Sequence, residues 1–302
     1  MTENKSTGSS MTEQEFLANY NIANFDRPSL ASDIVLLSLR RDESNNSDKR
    51  ANVNALQILL IKRASHPFMN KWALPGGFCK PTETVYETAK RELFEETNVS
   101  DAYLKLSGVH SKQNRDPRGW IISNAWLGLI DRYQCELRAD TDAWEAVWFT
   151  VKSLESTITN GNMNMTEYTH KLTLVNDETN ETLTCVVTET IILNVNGSES
   201  VFNTVSSDFA FDHAEIITQT LVSFREEIKE NIKPLFNLVP DLFTLTELQT
   251  AYELILDTKS QNFRRRIDDY VQATETFIEV QAVRPCRPAR LFMKNPEKFK
   301  YK

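Results

Sequence analysis

Cysteine is scarce in this chain of 302 residues. The four that occur, Cys79, Cys135, Cys185 and Cys286, lie far apart and form no Cys-x-x-Cys pair. That excludes a disulfide framework and a zinc ribbon, and it fits a reducing cytosol. Long apolar runs are missing too. No stretch approaches the ~18–20 apolar residues that a membrane-spanning helix needs, so no membrane is expected among the partners. The N-terminal MTENKSTGSS lacks the apolar core of a signal peptide, and residues 1–26 are expected to form a disordered tail. Only eight glycines occur, which excludes collagen-like repeats, and a hydrophobic content of 40% excludes wholesale disorder.

Positive charge is short overall, with a net −8, and an even spread would argue against nucleic acid. The spread is uneven. Residues 260–302 hold ten Lys and Arg against five Asp and Glu, and taking this +5 from the total leaves −13 on residues 1–259. A basic end on an acidic body is expected of a nucleic-acid-binding module joined to something else. A merely solvated basic end has the same composition.

At roughly 150 residues per domain the length suggests two domains. SDIVLLSL (residues 32–39) and ALQILLIKR (55–63) read as strands, with a polar hairpin tip between them. WALPGGF is a short extended piece, a helix is predicted over 85–97, and strands follow near 103–109, 121–130 and 146–150. The pattern is mixed α/β, with too few helices for a doubly wound sheet. Residues 152–207 are rich in Thr, Asn and Val and read as an inserted β-hairpin or small meander without a catalytic signature. Asp212 and Glu215 have the spacing of a capping box for the next helix. The last sixty residues read helix (245–256), turn, helix (261–270) and two short strands (276–283 and 289–292).

The stretch Gly77–Val99, GFCKPTETVYETAKRELFEETNV, carries the chemistry. Thr84 and Glu87 can form a capping box at the helix start. Glu92 and Glu96 are four apart and share a face, roughly 5–6 Å apart at Cβ, with Glu95 beside them. Three packed carboxylates repel one another unless a divalent cation binds, and hard oxygen donors suit Mg²⁺ or Mn²⁺. A bare acidic helix face is the plain alternative. Two further features stand out. Arg115-Asp116-Pro117-Arg118-Gly119 makes a turn before a strand, with two arginines suited to phosphate. Near the C-terminus, Gln261, Asn262, Arg264, Arg265 and Arg266 decorate the start of a helix as in a helix-turn-helix recognition helix, and VRPCRPARLF, with Arg284, Arg287 and Arg290, supplies a basic hairpin in the place of a wing.

The spacing from Gly77 through Glu83 to Arg91-Glu92-Leu93-x-Glu95-Glu96 resembles the Nudix signature GX5EX7REUXEEXGU at every defined position except its second-last, where Asn98 replaces Gly. Asn is the next-best residue for a left-handed helix C-cap, so the turn is expected to survive. The order of parts is also similar to the NrtR-type Nudix-related transcriptional regulators: ALPGGF with the box, DPRG, AFDHAEI, FTLTELQ, NFRR and RPARL.

The resemblance implies a Nudix α/β/α sandwich with a mixed sheet (27–151), the β-rich insert (152–207), then a linker helix and winged helix-turn-helix domain (208–302). It implies Mg²⁺ or Mn²⁺ held by Glu92 and Glu96, with Glu95 as a further or water-mediated ligand and the Gly76 carbonyl beside them. It makes Arg91 the residue that orients the carboxylates and Glu83 the buttress of the loop. Asp142 or Glu145 would be an additional base, and Arg115 or Arg118 would meet a phosphate or terminal ribose. His213 could be a ligand or base, although a packed histidine is the commoner outcome. The expected activity is hydrolysis of a nucleoside diphosphate linked to another group, best matched by ADP-ribose. The alternative is a regulator that senses such a ligand and binds duplex DNA. A homodimer is expected in either case.

Overall fold

The computed structural model describes residues 11–41, 53–134, 137, 143–278 and 289–299. After a short helix α1 (Glu13–Asn19) come strands β1 (Ser29–Arg41), β2 (Val53–Arg63), β3 (Trp72–Ala73) and β4 (Gly76–Phe78). Helix α2 (Val85–Thr97) is followed by β5 (Tyr103–His110), β6 (Ile121–Leu129), β7 (Ala143–Asn162), β8 (Met165–Val175), β9 (Thr182–Asn194) and β10 (Gly197–Ser207). These ten strands make one sheet in the order β10-β9-β8-β7-β2-β1-β6-β5, with β3 on β2 and β4 on β1. The β1–β6 pair is parallel and the other pairs are antiparallel, so the sheet is mixed.

β1 and β2 are apolar almost without interruption because both of their faces are covered. Ile34, Leu36 and Leu59 point to α2 and pack with Ala89, Leu93 and Trp126. Val35, Leu37, Leu39, Ile58 and Leu60 point the other way, into the main core. That core holds helix α3 (His213–Glu230) and α4 (Leu245–Leu256).

The stretch after residue 151 does not stand apart from the sheet. β7 runs for twenty residues, pairing with β2 along its first part and with β8 along the rest. Leu172, Leu174, Cys185, Val187 and Phe202 of the following strands join the main core. The sheet curls around α3. Lys112, just past β5, donates to the carbonyl of Phe202 on β10, and also to Asn203 Oδ1 at 3.0 Å and Glu215 Oε2 at 2.6 Å.

The expected capping box at Asp212 and Glu215 is not formed. Asp212 occupies the N-cap position without a side-chain cap bond. Its carboxylate is taken by Arg115, and Glu215 instead accepts from Thr204 and Lys112. Long-range charge pairing has overridden the local motif.

α4 starts with a complete capping box, Thr244 with Glu247. The next helix, α5 (Phe263–Ile267), is shorter than the sequence suggests and passes into a 3₁₀ turn over Asp268–Tyr270. A two-stranded sheet of β11 (Val271–Ile278) and β12 (Ala289–Lys294) follows, and then α6 (Pro296–Phe299). Helix, turn, helix and hairpin make a winged helix. Its α4 packs on β2 in the core shared with the main sheet. Asp142, Arg284 and Arg287 lie outside the described residues. Among the described residues, no helix is long and apolar enough to cross a membrane.

Candidate functional site

A cleft of about 520 Å³ opens where β1, β4, α2, the 115–118 turn and the head of α3 converge. Two glycines let the chain pass there. Gly76 has φ +153°, and a Cβ would stand 2.2 Å from the Ser32 carbonyl oxygen. A Cβ on Gly77 would stand 2.5 Å from Glu92 Oε1, so a side chain at 77 would occupy the space of that carboxylate.

α2 is built as its sequence dictates. Thr84 and Glu87 form the capping box, and Asn98 closes the helix at φ +60° in the left-handed region. Arg91 is the hub of the acidic cluster. Its Nε donates to Glu83 Oε1 at 2.6 Å and its Nη2 to Glu83 Oε2 at 2.9 Å. Nη1 reaches Glu92 at 2.6 Å and Glu95 at 2.9 Å, and Nη2 also donates to the Phe78 carbonyl. The hydrogen bonds from Arg91 hold the Glu83 carboxyl down at about 2.

The three box carboxylates do not converge. Glu92 and Glu96 line the cleft, whereas Glu95 is half exposed and turns to Arg91 and Lys80. Glu96 Oε2 accepts the Gly76 N–H at 2.7 Å. Burial pushes Glu96 up to about 8 and raises Glu92 as well. Among the described residues, no three Asp, Glu, His or Cys side chains gather closely enough to cage a metal. Two hard-oxygen carboxylates raised by burial still fit one divalent cation, as an incomplete set that backbone, ligand or water oxygens would complete.

The two arginines of the DPRG turn have different surroundings. Arg115 is 5% exposed and grips Asp212 with two bonds of 2.7 Å, with Asp33 3.6 Å away. Arg118 is 42% exposed, pairs with Asp116, and lies over the Phe78 ring at 4.9 Å and the Phe211 ring at 5.2 Å. Arg63 covers the same Phe211 ring at 4.8 Å.

His213 is buried, and its Nδ1 accepts the Leu74 N–H at 2.8 Å. Burial pushes its pKa down to about 3, so the ring is neutral. Glu145, exposed on β7, lies 3.7 Å from Lys62 and does not line the cleft.

Asp33, Arg63, Phe78 and Phe211 were not singled out from the sequence. Asp33 carried a signal, a lone carboxylate in an apolar strand, and burial raises its pKa. Phe211 belongs to AFDHAEI, but its place beside Arg118 depends on the return of the chain from β10.

At the other end of the molecule, Gln261, Asn262, Arg264 and Arg265 are exposed at the start of α5, and Arg290 is exposed on β12. Arg266 is exposed as well, but its guanidinium bonds back to the fold. Its Nη1 donates to the Tyr252 hydroxyl at 2.9 Å and its Nη2 to the Ile228 carbonyl at 3.2 Å.

Residues 47–172 match the NUDIX domain model, and residues 235–293 match the model of the NrtR DNA-binding winged helix domain. Over 287 residues the chain is 26% identical to the ADPR responsive transcriptional repressor NtrR of Acinetobacter baylyi, covering 93% of this chain and 88% of that one. Over 98 residues it is 45% identical to the ADP-ribose pyrophosphatase of Methanocaldococcus jannaschii, covering 32% of this chain and 57% of that one. The crystal structure of a MutT/nudix family protein from Enterococcus faecalis superposes with a TM-score of 0.61 at 25% identity, over 94% of both chains.

Proposed function

For a chain that joins a NUDIX domain to an NrtR-type DNA-binding winged helix domain, we propose the role of a transcriptional regulator that reads an ADP-ribose-type ligand in its cleft. The observation that carries this reading is the shared core. The winged helix packs on the sheet that walls the cleft, through α3 and α4, and does not hang on a linker. The similarity to a regulator named as ADPR responsive, over nearly the whole of both chains, supports it. Arg118 and the Phe78 and Phe211 rings would receive the ligand's phosphate and flat parts. Gln261, Asn262, Arg264, Arg265 and Arg290 would meet DNA, with Arg287 as a further contact. The active form would be a homodimer on two half-sites.

The test uses the full chain, duplexes that the chain selects from a random pool, and ADP-ribose. Binding should weaken steeply as salt rises, because counterions are released for each phosphate neutralised, and ADP-ribose should change the affinity. Salt-independent binding, or no binding, contradicts the reading.

A second reading, hydrolysis, is favoured by the nearly intact box and by the similarity to a pyrophosphatase. Glu92 and Glu96, with the Gly76 carbonyl, would hold Mg²⁺ or Mn²⁺. When bound, the ion would neutralise a diphosphate and acidify water. Arg91 and Glu83 would hold the carboxylates in place, and Glu95 would act from outside the cleft. Glu92→Gln or Glu96→Gln should then reduce turnover of ADP-ribose by roughly 10²–10⁴-fold. An unchanged rate in both variants contradicts this reading.

A further inference from the structure

Helix α3 starts in the cleft and ends against the winged helix. It has eighteen residues, so it is about 27 Å long at 1.5 Å per residue. At its head, both carboxylate oxygens of Asp212 are held by Arg115, which lines the cleft. At its foot, Arg225 donates to the Ile255 carbonyl at the end of α4 at 2.8 Å, and Ile228 accepts from Arg266 of α5. Arg264 and Arg265, the residues suited to DNA, sit beside Arg266 on α5.

Resting on the sensor reading above, we propose that α3 carries the ligand signal and that Arg115 is its trigger. The arginine holds Asp212 until a phosphate of the ligand takes the same guanidinium edge.

The chemistry of the edge favours such an exchange. A guanidinium presents two parallel N–H donors that fit a phosphate as well as a carboxylate. Arg115 and Arg118 line the same cleft. Once displaced, Asp212 is a nearly buried carboxylate without its partner, a state that is strongly disfavoured unless the segment moves. Asp212 makes no side-chain cap bond, and the first turn of α3 is otherwise held through His213 to Leu74 and Glu215 to Thr204 and Lys112. Packed helices answer such a change by shifts of about 1–2 Å, and the Arg266–Ile228 bond passes a shift of α3 directly to α5.

Two variants of the full chain test the coupling, with ADP-ribose as the ligand probe and a self-selected duplex as the DNA probe. Asp212→Asn keeps the size but releases the latch. It should bind ADP-ribose more tightly than the parent. Its DNA affinity should sit near that of the liganded parent, and its response to ADP-ribose should shrink toward a factor of one. Arg266→Lys breaks the link at the far end. It should keep the parent's ADP-ribose affinity in calorimetry and lose most of the response, which for allosteric coupling is roughly 5–150-fold.

If both variants answer ADP-ribose with the parent's factor, the coupling is overturned while the sensor reading stands. If the parent's DNA affinity does not respond to ADP-ribose, the sensor reading falls and the coupling falls with it. Should Asp212→Asn fail to fold, Arg266→Lys decides, and a full response there overturns the proposal.

Discussion

The two ends of α3 use their arginines in opposite ways. Around the cleft, Arg91 and Arg115 are spent on carboxylates, and Arg118 is divided between Asp116 and two aromatic rings. On α5, Arg264, Arg265 and Arg266 are all exposed, and Arg266 bonds back to Tyr252 and Ile228. Neighbours rather than residue type decide which arginine braces the fold and which is presented to a ligand. Arg115 and Arg118 lie three residues apart in one motif, yet Arg115 is held by Asp212 and Arg118 is exposed; Arg265 and Arg266 are adjacent, yet Arg266 bonds back to Tyr252 and Ile228.

The largest effect should come from Arg115→Ala. It strands Asp212 and Asp33 in a buried setting, and breaking a buried ion pair by removing one partner costs about 3–5 kcal/mol. Denaturant unfolding should show a loss of that size. A loss within experimental error would mean that Arg115 is as dispensable to folding as an exposed arginine.

Next in size is the double substitution Arg264→Ala and Arg265→Ala. DNA affinity should fall by roughly 10–100-fold, with the salt slope flattened by about one unit for each phosphate that is no longer neutralised. Fold stability should be unaffected. Arg118→Ala should weaken ADP-ribose binding by about 1–3 kcal/mol through the loss of charge-assisted hydrogen bonds, again with little change in stability. Equal stability losses for Arg115→Ala and Arg118→Ala would abolish the contrast between the two.

The last effect is a pH dependence, spread over several pH units. His213 is buried and neutral, with its pKa lowered from the ordinary 6.5 to about 3. In the unfolded chain it takes up a proton below pH 6.5, and in the folded chain it does not until near pH 3. Its contribution is therefore full above pH 6.5 and is lost as the pH falls toward 3. The slope is at most about 1.4 kcal/mol per pH unit. His213→Asn keeps an acceptor for the Leu74 N–H and should remove that part of the slope. An unchanged slope assigns the acid sensitivity to other groups.

Much of the site was legible because its parts are local. The capping box at Thr84, the left-handed cap at Asn98 and the i,i+4 pair Glu92 and Glu96 all follow from spacing within one helix. The strands around the box were legible for the same reason, since apolar runs and turn residues act over a few positions. What escaped depends on partners far apart in the chain. Asp212 forgoes its cap because a residue 97 positions away binds it more strongly. Arg266 faces Tyr252 and Ile228, and no composition reading could have separated it from Arg264 and Arg265. The 152–207 stretch read as an insertion because it lacks a motif, but its strands extend the sheet that wraps α3.

The central claim is that cleft and winged helix form one coupled system. Binding linkage requires the coupling to be equal in both directions, so the most direct measurement is calorimetric titration of ADP-ribose into the full chain, alone and saturated with its selected duplex. The account predicts that DNA changes the ADP-ribose affinity by the same factor by which ADP-ribose changes the DNA affinity. An ADP-ribose affinity identical with and without bound DNA would contradict it.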